Sequence, residues 1–320
     1  MGFTGRDIHI DVPLSNMAIG YRPEGFIADQ IAPIISVPKQ SDAYYIWSQA
    51  DAFRPEDDKR APGTEANVIA RSMSSGTFFC KNYALKERTP YEDLANADAS
   101  FVFLSRQARA EAVKDKLMLN MEYRVGLQCT SGSNVGSYTA VASAWTTRTT
   151  ALSDPLGNLQ TCINNVQDST GYRPNSIIFG SYAWRLLREH SDMIERIYGS
   201  LSPTGGRQVG IAQVKELLEM DRVLVGGAYY NTTQEDQTAS LSQIWNDNVL
   251  VYYAPMTPRI DKPSFMYGFR WNAVQGMSMQ AEVFQLPRAK AEEVQLGYYQ
   301  DEKITAKNLG FLLRGVGSSQ

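Results

Sequence analysis

Between Phe53 and Gly63 the chain runs Arg-Pro-Glu-Asp-Asp-Lys-Arg-Ala-Pro-Gly, a stretch dense in charge and lacking any large apolar side chain. Its prolines and closing glycine make it a turn-rich tip, and its composition gives it nothing to bury. Strand-like runs flank it. Tyr45 and Trp47 share one face of the first run, with Tyr44 and Ile46 on the other. The returning run covers Val68 to about Leu85, with Phe79, Tyr83 and Leu85 on one face. The pattern predicts a long hairpin over residues 42–85. A two-stranded hairpin of that length is barely stable alone. It therefore needs a partner surface, in its own chain or in another.

The segments on either side raise the same question. Residues 1–37 read as an extended arm interrupted by Pro13, Pro23 and Pro33, with Pro38 just beyond, and each proline disfavours helix at the residue before it. Yet Phe26, Ile27, Ile31, Ile34, Ile35 and Val37 are apolar. Such an arm lies either on a neighbouring chain or on its own domain as a first strand. Residues 99 to about 126 hold no proline and no glycine before Gly126, which predicts the strongest helix of the chain. Phe101, Leu104, Ala108 and Ala112 form one stripe; Leu117, Met121 and Val125 form another on a different side. A helix that changes its buried face lies across more than one neighbour. Arg106, Arg109, Lys114, Asp115 and Lys116 are assigned to its solvated or intersubunit side.

From residue 131 the texture is mixed. Asp154 opens a helix through Leu159, Ile163 and Val166 that ends at Gly171, and Ser176–Phe179 is a short buried strand. Ser181 is expected to cap a helix bearing Trp184 and Leu187, continued after His190 by Ile194 and Ile197. Residues 200–210 form a Gly-rich link. A helix through Ile211 and Val214 follows, then strands at Arg222–Val225, near Ile244, and at 249–253 and 265–271. Four further runs, beginning at Met279, Glu293, Lys303 and Leu309, are strand-like. Helices and strands interleave without a regular alternation, which places the chain in the α+β class.

The composition bounds the function. Of 320 residues, 43% are hydrophobic and 11% aromatic, enough for a real core. With 31 basic and 34 acidic residues the net charge is −3, which argues against a dedicated nucleic-acid binder. Cys80, Cys129 and Cys162 are widely spaced and form no CxxC pair, so they read as reduced thiols. Neither a signal peptide nor a run of about 18 apolar residues is visible.

No catalytic, cofactor or metal residues are assigned. His9 sits in the arm and His190 at a helix end, where a structural role is common. Gly226-Gly227 follows a strand as phosphate loops do, but Ala-Tyr-Tyr-Asn comes next and no GK[ST]. Asp57-Asp58 and Glu292-Glu293 are adjacent pairs that on a strand face opposite ways. They read as solvated or intersubunit charges.

The order of parts resembles the major capsid proteins of tailed phages, in the Hong Kong 97-type capsid fold. The resemblance is carried by Gly25-Phe-Ile-Ala-Asp-Gln-Ile-Ala-Pro33 running into Val37-Pro-Lys-Gln and Tyr44-Tyr, by Arg60-Ala-Pro-Gly-Thr-Glu65, by Pro174-Asn-Ser-Ile-Ile-Phe-Gly180 with Ala183-Trp184 and Leu187, and by Asp221-Arg-Val-Leu-Val-Gly-Gly-Ala228 followed by Ile244-Trp245. It implies an N-terminal arm (1–37), an extended loop (42–85), a peripheral domain with a long spine helix (86–130 and 276–320) and an axial α+β domain (131–275). It implies a non-enzymatic subunit that self-assembles through hexamers and pentamers into an icosahedral shell, with no cofactor and no membrane contact. Arg54, Glu56, Asp57, Asp58, Lys59 and Arg60 at the loop tip would meet neighbouring subunits. The further partners implied are a separate scaffolding protein or none (the arm starts almost at Met1), a portal, decoration proteins, and packaged double-stranded DNA met without sequence-specific binding. The implied location is the virion, after assembly in the host bacterial cytoplasm.

Some members of the family join a loop lysine to a neighbour's asparagine, with a glutamate as base. Lys59, Asn308 and Glu302 are the parts available for this in the chain. The carboxylates beside Lys59 favour its charged form, so a shell without covalent links is expected. The rival readings are an encapsulin-like nanocompartment shell, an enzyme with an unrecognised site, and a phage tail or decoration protein.

Overall fold

The computed structural model describes Leu14, Ser15, Ala18, residues 25–47, Asp51, residues 53–69, 72–96, 105–146, 153–199, 208–234, 236–272 and 279–317. Most of the expected arm before residue 25, the helix start at 99–104 with Phe101 and Leu104, and the link at 200–207 fall outside them. In chain order the first elements are α1 (Ala28–Ile31), β1 (Ile34–Val37), β2 (Ser41–Trp47), β3 (Met73–Phe79), β4 (Lys81–Pro90), α2 (Tyr91–Asn96) and α3 (Arg106–Cys129). Then come β5 (Ser137–Ala140), α4 (Pro155–Thr170), β6 (Ser176–Gly180), α5 (Ser181–Arg188), α6 (Ser191–Tyr198), α7 (Ile211–Leu217) and β7 (Arg222–Gly226). The last are β8 (Tyr229–Asn231), β9 (Leu241–Gln243), β10 (Val249–Tyr252), β11 (Met266–Trp271), β12 (Gln280–Leu286), β13 (Ala291–Ile304) and β14 (Gly310–Arg314).

Two five-stranded sheets organise the chain. The first is built on the long β13. Antiparallel β11 and β12 pair along one edge, end to end, and β4 pairs along the other from Pro90↔Ala291 to Lys81↔Gln300. Parallel β1 extends this sheet beside β11. The second sheet has the order β5-β14-β10-β6-β7. Every residue of β6 and β10 is buried, as expected of strands covered on both faces. Leu159, Ile163 and Val166 of α4 pack there against Ile177, Phe179, Val249, Val251 and Leu313.

The local signals explain α4. Asp154 accepts from the Gly157 amide at 2.7 Å, Pro155 opens the first turn, and Gly171 ends the helix at φ 75°. α5 differs from expectation: Gly180 is its N-cap and Ser181 lies within the first turn.

α3 runs 24 residues, about 36 Å, capped by Ser105, whose Oγ accepts from the Ala108 amide at 3.1 Å. Its buried apolar residues form one stripe, Ala110, Val113, Leu117, Met121, Val125 and Cys129, at spacings of three and four. The expected change of face is therefore wrong, and Ala112 is exposed. What changes is the neighbour. Ala110, Val113 and Leu117 meet the first sheet through Ala281, Val294, Leu296 and Tyr298. Met121, Val125 and Cys129 meet Trp245, Leu250, Tyr252 and Leu312 beside the second.

Of the two readings left open for the arm, its described part follows the second and lies on its own chain: Ile27, Ala28, Ile31 and Ala32 are buried against Met121 and Val125, and β1 joins the first sheet. Two other expectations need correction. The returning strand of the hairpin begins at Met73, since Val68 and Ile69 are exposed and lie outside any strand. It stops at Cys80, and β4 leaves the hairpin for the first sheet. The sheets also divide the chain differently from a boundary at 275. β11 belongs to the first sheet, and β14 sits inside the second, between β5 and β10.

Candidate assembly surface

The β2–β3 hairpin pairs from Ser41↔Phe79 to Trp47↔Met73 and has one inward face. Tyr44 and Phe78 both stack on Phe269 of β11, with centroids 5.4 Å and 4.5 Å away. Gly76 leaves room for the Tyr44 ring, which a Cβ there would strike. Polar ties fix the base. Asp301 accepts from the Phe79 amide at 3.0 Å, Lys303 Nζ donates to the Thr77 carbonyl at 2.6 Å, and the Trp271 indole donates to the Pro38 carbonyl at 3.2 Å.

The tip is held by its own backbone. Arg60 Nε donates to the Thr64 carbonyl at 2.6 Å, Asn67 donates to the Asp57 carbonyl at 2.8 Å, and Asp57 accepts from the Lys59 amide at 3.1 Å. Arg54 lies 3.7 Å from Asp51. Arg54, Glu56, Asp57, Asp58, Lys59 and Arg60 are all exposed. Glu56, Asp58 and Lys59 enter no ion pair among the described residues. The structure thus brings the six expected contact residues together on one exposed turn.

Other charges expected at the surface are internal. Glu292 and Glu293 do point to opposite faces of β13, but both are buried. Glu292 takes Arg106 at 2.6 Å and Arg109 at 2.5 Å from α3. Glu293 takes Lys86 at 2.8 Å and Arg88 at 2.6 Å from β4. The Arg106 hydrogen bond, followed by that of Arg109, holds the Glu292 carboxyl below the usual range; those of Lys86 and then Arg88 do the same for Glu293. Arg109 is 1% exposed, and Lys114, also buried, donates to the Ala18 carbonyl. Both were expected on the solvated side of the helix. The reason is compensation: each finds acceptors inside, which offsets the cost of leaving water.

Glu122, unassigned from the sequence, is fully buried where arm, helix and second sheet meet. Its Oε2 accepts from the amides of Ile27 at 2.9 Å and Ala28 at 2.7 Å, and its Oε1 from the Trp245 indole at 2.6 Å. It thereby caps α1, which has no side-chain cap of its own. Burial pushes its carboxyl up, while Trp245 and the amides of Ala28 and Ile27 act against that.

One arrangement looks chemical. Ser153 Oγ lies 2.5 Å from His190 Nε2, both buried. But His190 Nδ1 accepts from the Asp192 amide at 3.2 Å, which makes His190 the N-cap of α6. Nε2 then carries the ring proton and donates to Ser153, so it is unable to take a proton from it. Cys80, Cys129 and Cys162 are free and buried, and burial raises each thiol, to about 11 for Cys80 and about 12 for Cys162. Gly226 packs beneath the Trp245 ring, which accounts for a glycine at that strand end. Glu302, the candidate base for crosslinking, is buried and bound by Arg124 at 2.8 Å. Among the described residues no cluster of His, Cys, Asp and Glu is placed to hold a metal ion, and no helix is long and apolar enough to cross a membrane.

No family model matches the chain. The major capsid protein of Pseudomonas phage JBD67 is 26% identical over 309 residues, covering 96% of this chain and 97% of that one. The crystal structure of a phage-related protein from Bordetella bronchiseptica RB50 superposes with a TM-score of 0.74 at 21% identity, covering 97% and 98%. The capsid structure of the cyanophage P-SCSP1u gives 0.58 at 9% identity, covering 98% and 92%. The resemblance to phage major capsid proteins, first carried by the order of parts, is thus borne out along the whole chain.

Proposed function

We propose that this chain is the shell-building subunit of a phage capsid, a structural protein whose copies assemble around the genome. The observation that carries the reading is likeness along both whole chains to a phage major capsid protein. The internal use of the ionisable groups supports a structural role: Glu122, Glu292, Glu302, Arg109 and His190 each serve packing.

In finer detail the subunit is of the Hong Kong 97 type, from a tailed phage. α3 with the first sheet is the peripheral domain, and the second sheet with α4 to α7 is the axial domain. The segment that leads through α1 into β1 is the arm, and the β2–β3 hairpin is the extended loop. The tip, Arg54 with Glu56, Asp57, Asp58, Lys59 and Arg60, meets a neighbouring subunit. Hexamers and pentamers form the shell in the host cytoplasm with a separate scaffolding protein and a portal, decoration proteins adding to it. Packaged DNA lies against the inner face without sequence-specific contacts. Electron microscopy of the purified protein, with and without scaffold, tests the reading. Closed particles or rings of five and six are expected. A folded monomer persisting at high concentration in both conditions would overturn it.

A further inference from the structure

The loop from β2 to β3 rests on both sheets of its own chain. Its base lies on the first sheet, where Tyr44 and Phe78 stack on Phe269 of β11. A second foothold is Phe53, between β2 and the charged tip. The Phe53 ring meets Tyr172 edge-on, with centroids 5.8 Å apart, and Tyr172 in turn packs on Tyr253 at 5.2 Å. Tyr253 directly follows β10, and its amide donates to the Leu309 carbonyl at 2.9 Å, so this foothold belongs to the second sheet. Gly171 makes the seat. It ends α4 at φ 75°, and a Cβ there would come within 2.7 Å of the Phe53 ring. One glycine thus serves two needs, a left-handed helix end and a bare surface for an aromatic ring.

Between the two footholds the loop crosses an open groove of about 890 Å3. Asp51, Arg54 and Ser72 line it from the loop, and Asp261, Pro263 and Asn308 from the body. The two limbs of the loop are tied together above the groove, because Asp51 accepts from the Ser72 amide at 2.9 Å and from its hydroxyl. What holds one limb therefore holds both.

We infer that the loop is a strap between the two sheets, and that Phe53 is its releasable foothold on the second. The charged tip is then carried by both sheets at once, and a shift of one sheet against the other loads the Phe53 contact first. The base is the stronger of the two footholds: Tyr44 and Phe78 are buried, whereas Phe53 is 53% exposed. An edge-on aromatic pair favours contact by a factor of about two to ten. That is enough to set where the tip points and too little to lock it there. The strap exists in the single chain before any neighbour is present, and so stands apart from the shell-subunit reading.

The test is a distance measured in dissociated subunits. Nitroxide labels are placed at Lys59→Cys on the tip and at Asp168→Cys on α4; both sites are exposed, and the three native cysteines are buried. With Phe53 present a single narrow distance distribution is expected. Phe53→Ala should broaden it at least about twofold, and Phe53→Tyr, which keeps the ring, should preserve the narrow one. Tyr172→Ala should broaden it as far as Phe53→Ala does, and the two changes together no further. The denaturant midpoint of Phe53→Ala should match that of the unchanged chain, because the ring is half exposed. An equally narrow distribution in Phe53→Ala would overturn the inference, as would a broad one with Phe53 in place. So would a midpoint lowered as far as emptying the buried Phe179 site lowers it, since Phe53 would then be core and not a foothold. Assembly plays no part in the measurement, so failure to form shells would count against the shell-subunit reading alone.

Discussion

The second sheet and the β2–β3 hairpin draw on the same kinds of residue and end in opposite conditions. β6 and β10 are buried throughout, with α4 over one face and the α3 junction against the other. The hairpin is covered on one face by Phe269 and left bare on the other, with Tyr45, Met73 and Phe79 in solvent. The first is a finished core that needs no neighbour. The second keeps one face in solvent, and under the proposed function it is half of a contact. A subunit that must fold before it assembles separates the two tasks in this way, keeping its stability in one region and its unsatisfied surface in another.

The largest way to break that comparison is inside the sheet. Phe179→Ala empties a fully buried site and should cost about 3–5 kcal/mol, read as a shift in the denaturant midpoint of dissociated subunits. Next is Glu122→Ala, which removes the acceptor shared by the Ile27, Ala28 and Trp245 donors; with water entering the vacated space to satisfy part of them, the net cost should be about 1–3 kcal/mol. It should also make the chain near residue 27 a new protease site. Unchanged stability would mean that the arm is held by apolar packing alone.

Acid sharpens the comparison further. Cations hold Glu292 and Glu293 below the usual carboxylate range. The stability they supply is present above the ordinary pKa of about 4.3 and is lost as pH falls through the lowered values. Melting temperature should therefore decline below about pH 4, and Glu292→Gln should make that decline shallower. The smallest effect belongs to the tip. Replacing residues 54–66 with a short Gly-Ser link should change subunit stability by less than about 0.5 kcal/mol, measured by the same unfolding curves. A large loss would show that the tip belongs to the subunit's own core.

How much of this was legible depended on the range of the forces involved. α4 could be read to the residue, because Asp154, Pro155 and Gly171 are local signals within one turn of its ends. β6 could be read as a short apolar run. Strand partnership could not: β14 enters the second sheet and β4 joins β13 through contacts roughly 200 residues distant in β4's case, and nothing local to Lys81 or Gly310 encodes that. Buried charge was half legible. Arg109, Val113 and Leu117 share a helical face at spacings of four, as do Met118 and Glu122, so a charge on an apolar stripe was a sign of an internal partner. The partners themselves, Glu292 for Arg109 and Trp245 for Glu122, come from distant strands and loops. The exposed tip was legible from composition alone. The bare outer face of the hairpin was not, because Tyr45 and Tyr44 look alike until Phe269 is known to lie beneath only one of them.

The division of labour is tested most directly by amide hydrogen exchange, compared between dissociated subunits and assembled particles. Amides of β6, β10 and β14 should be protected in both states. Amides of β2 and β3 should exchange quickly in the free subunit and at least about tenfold more slowly in particles. If β2 and β3 are as protected in the free subunit as in the particle, the hairpin is a finished part of its own chain, and its role as an unfilled assembly contact is contradicted.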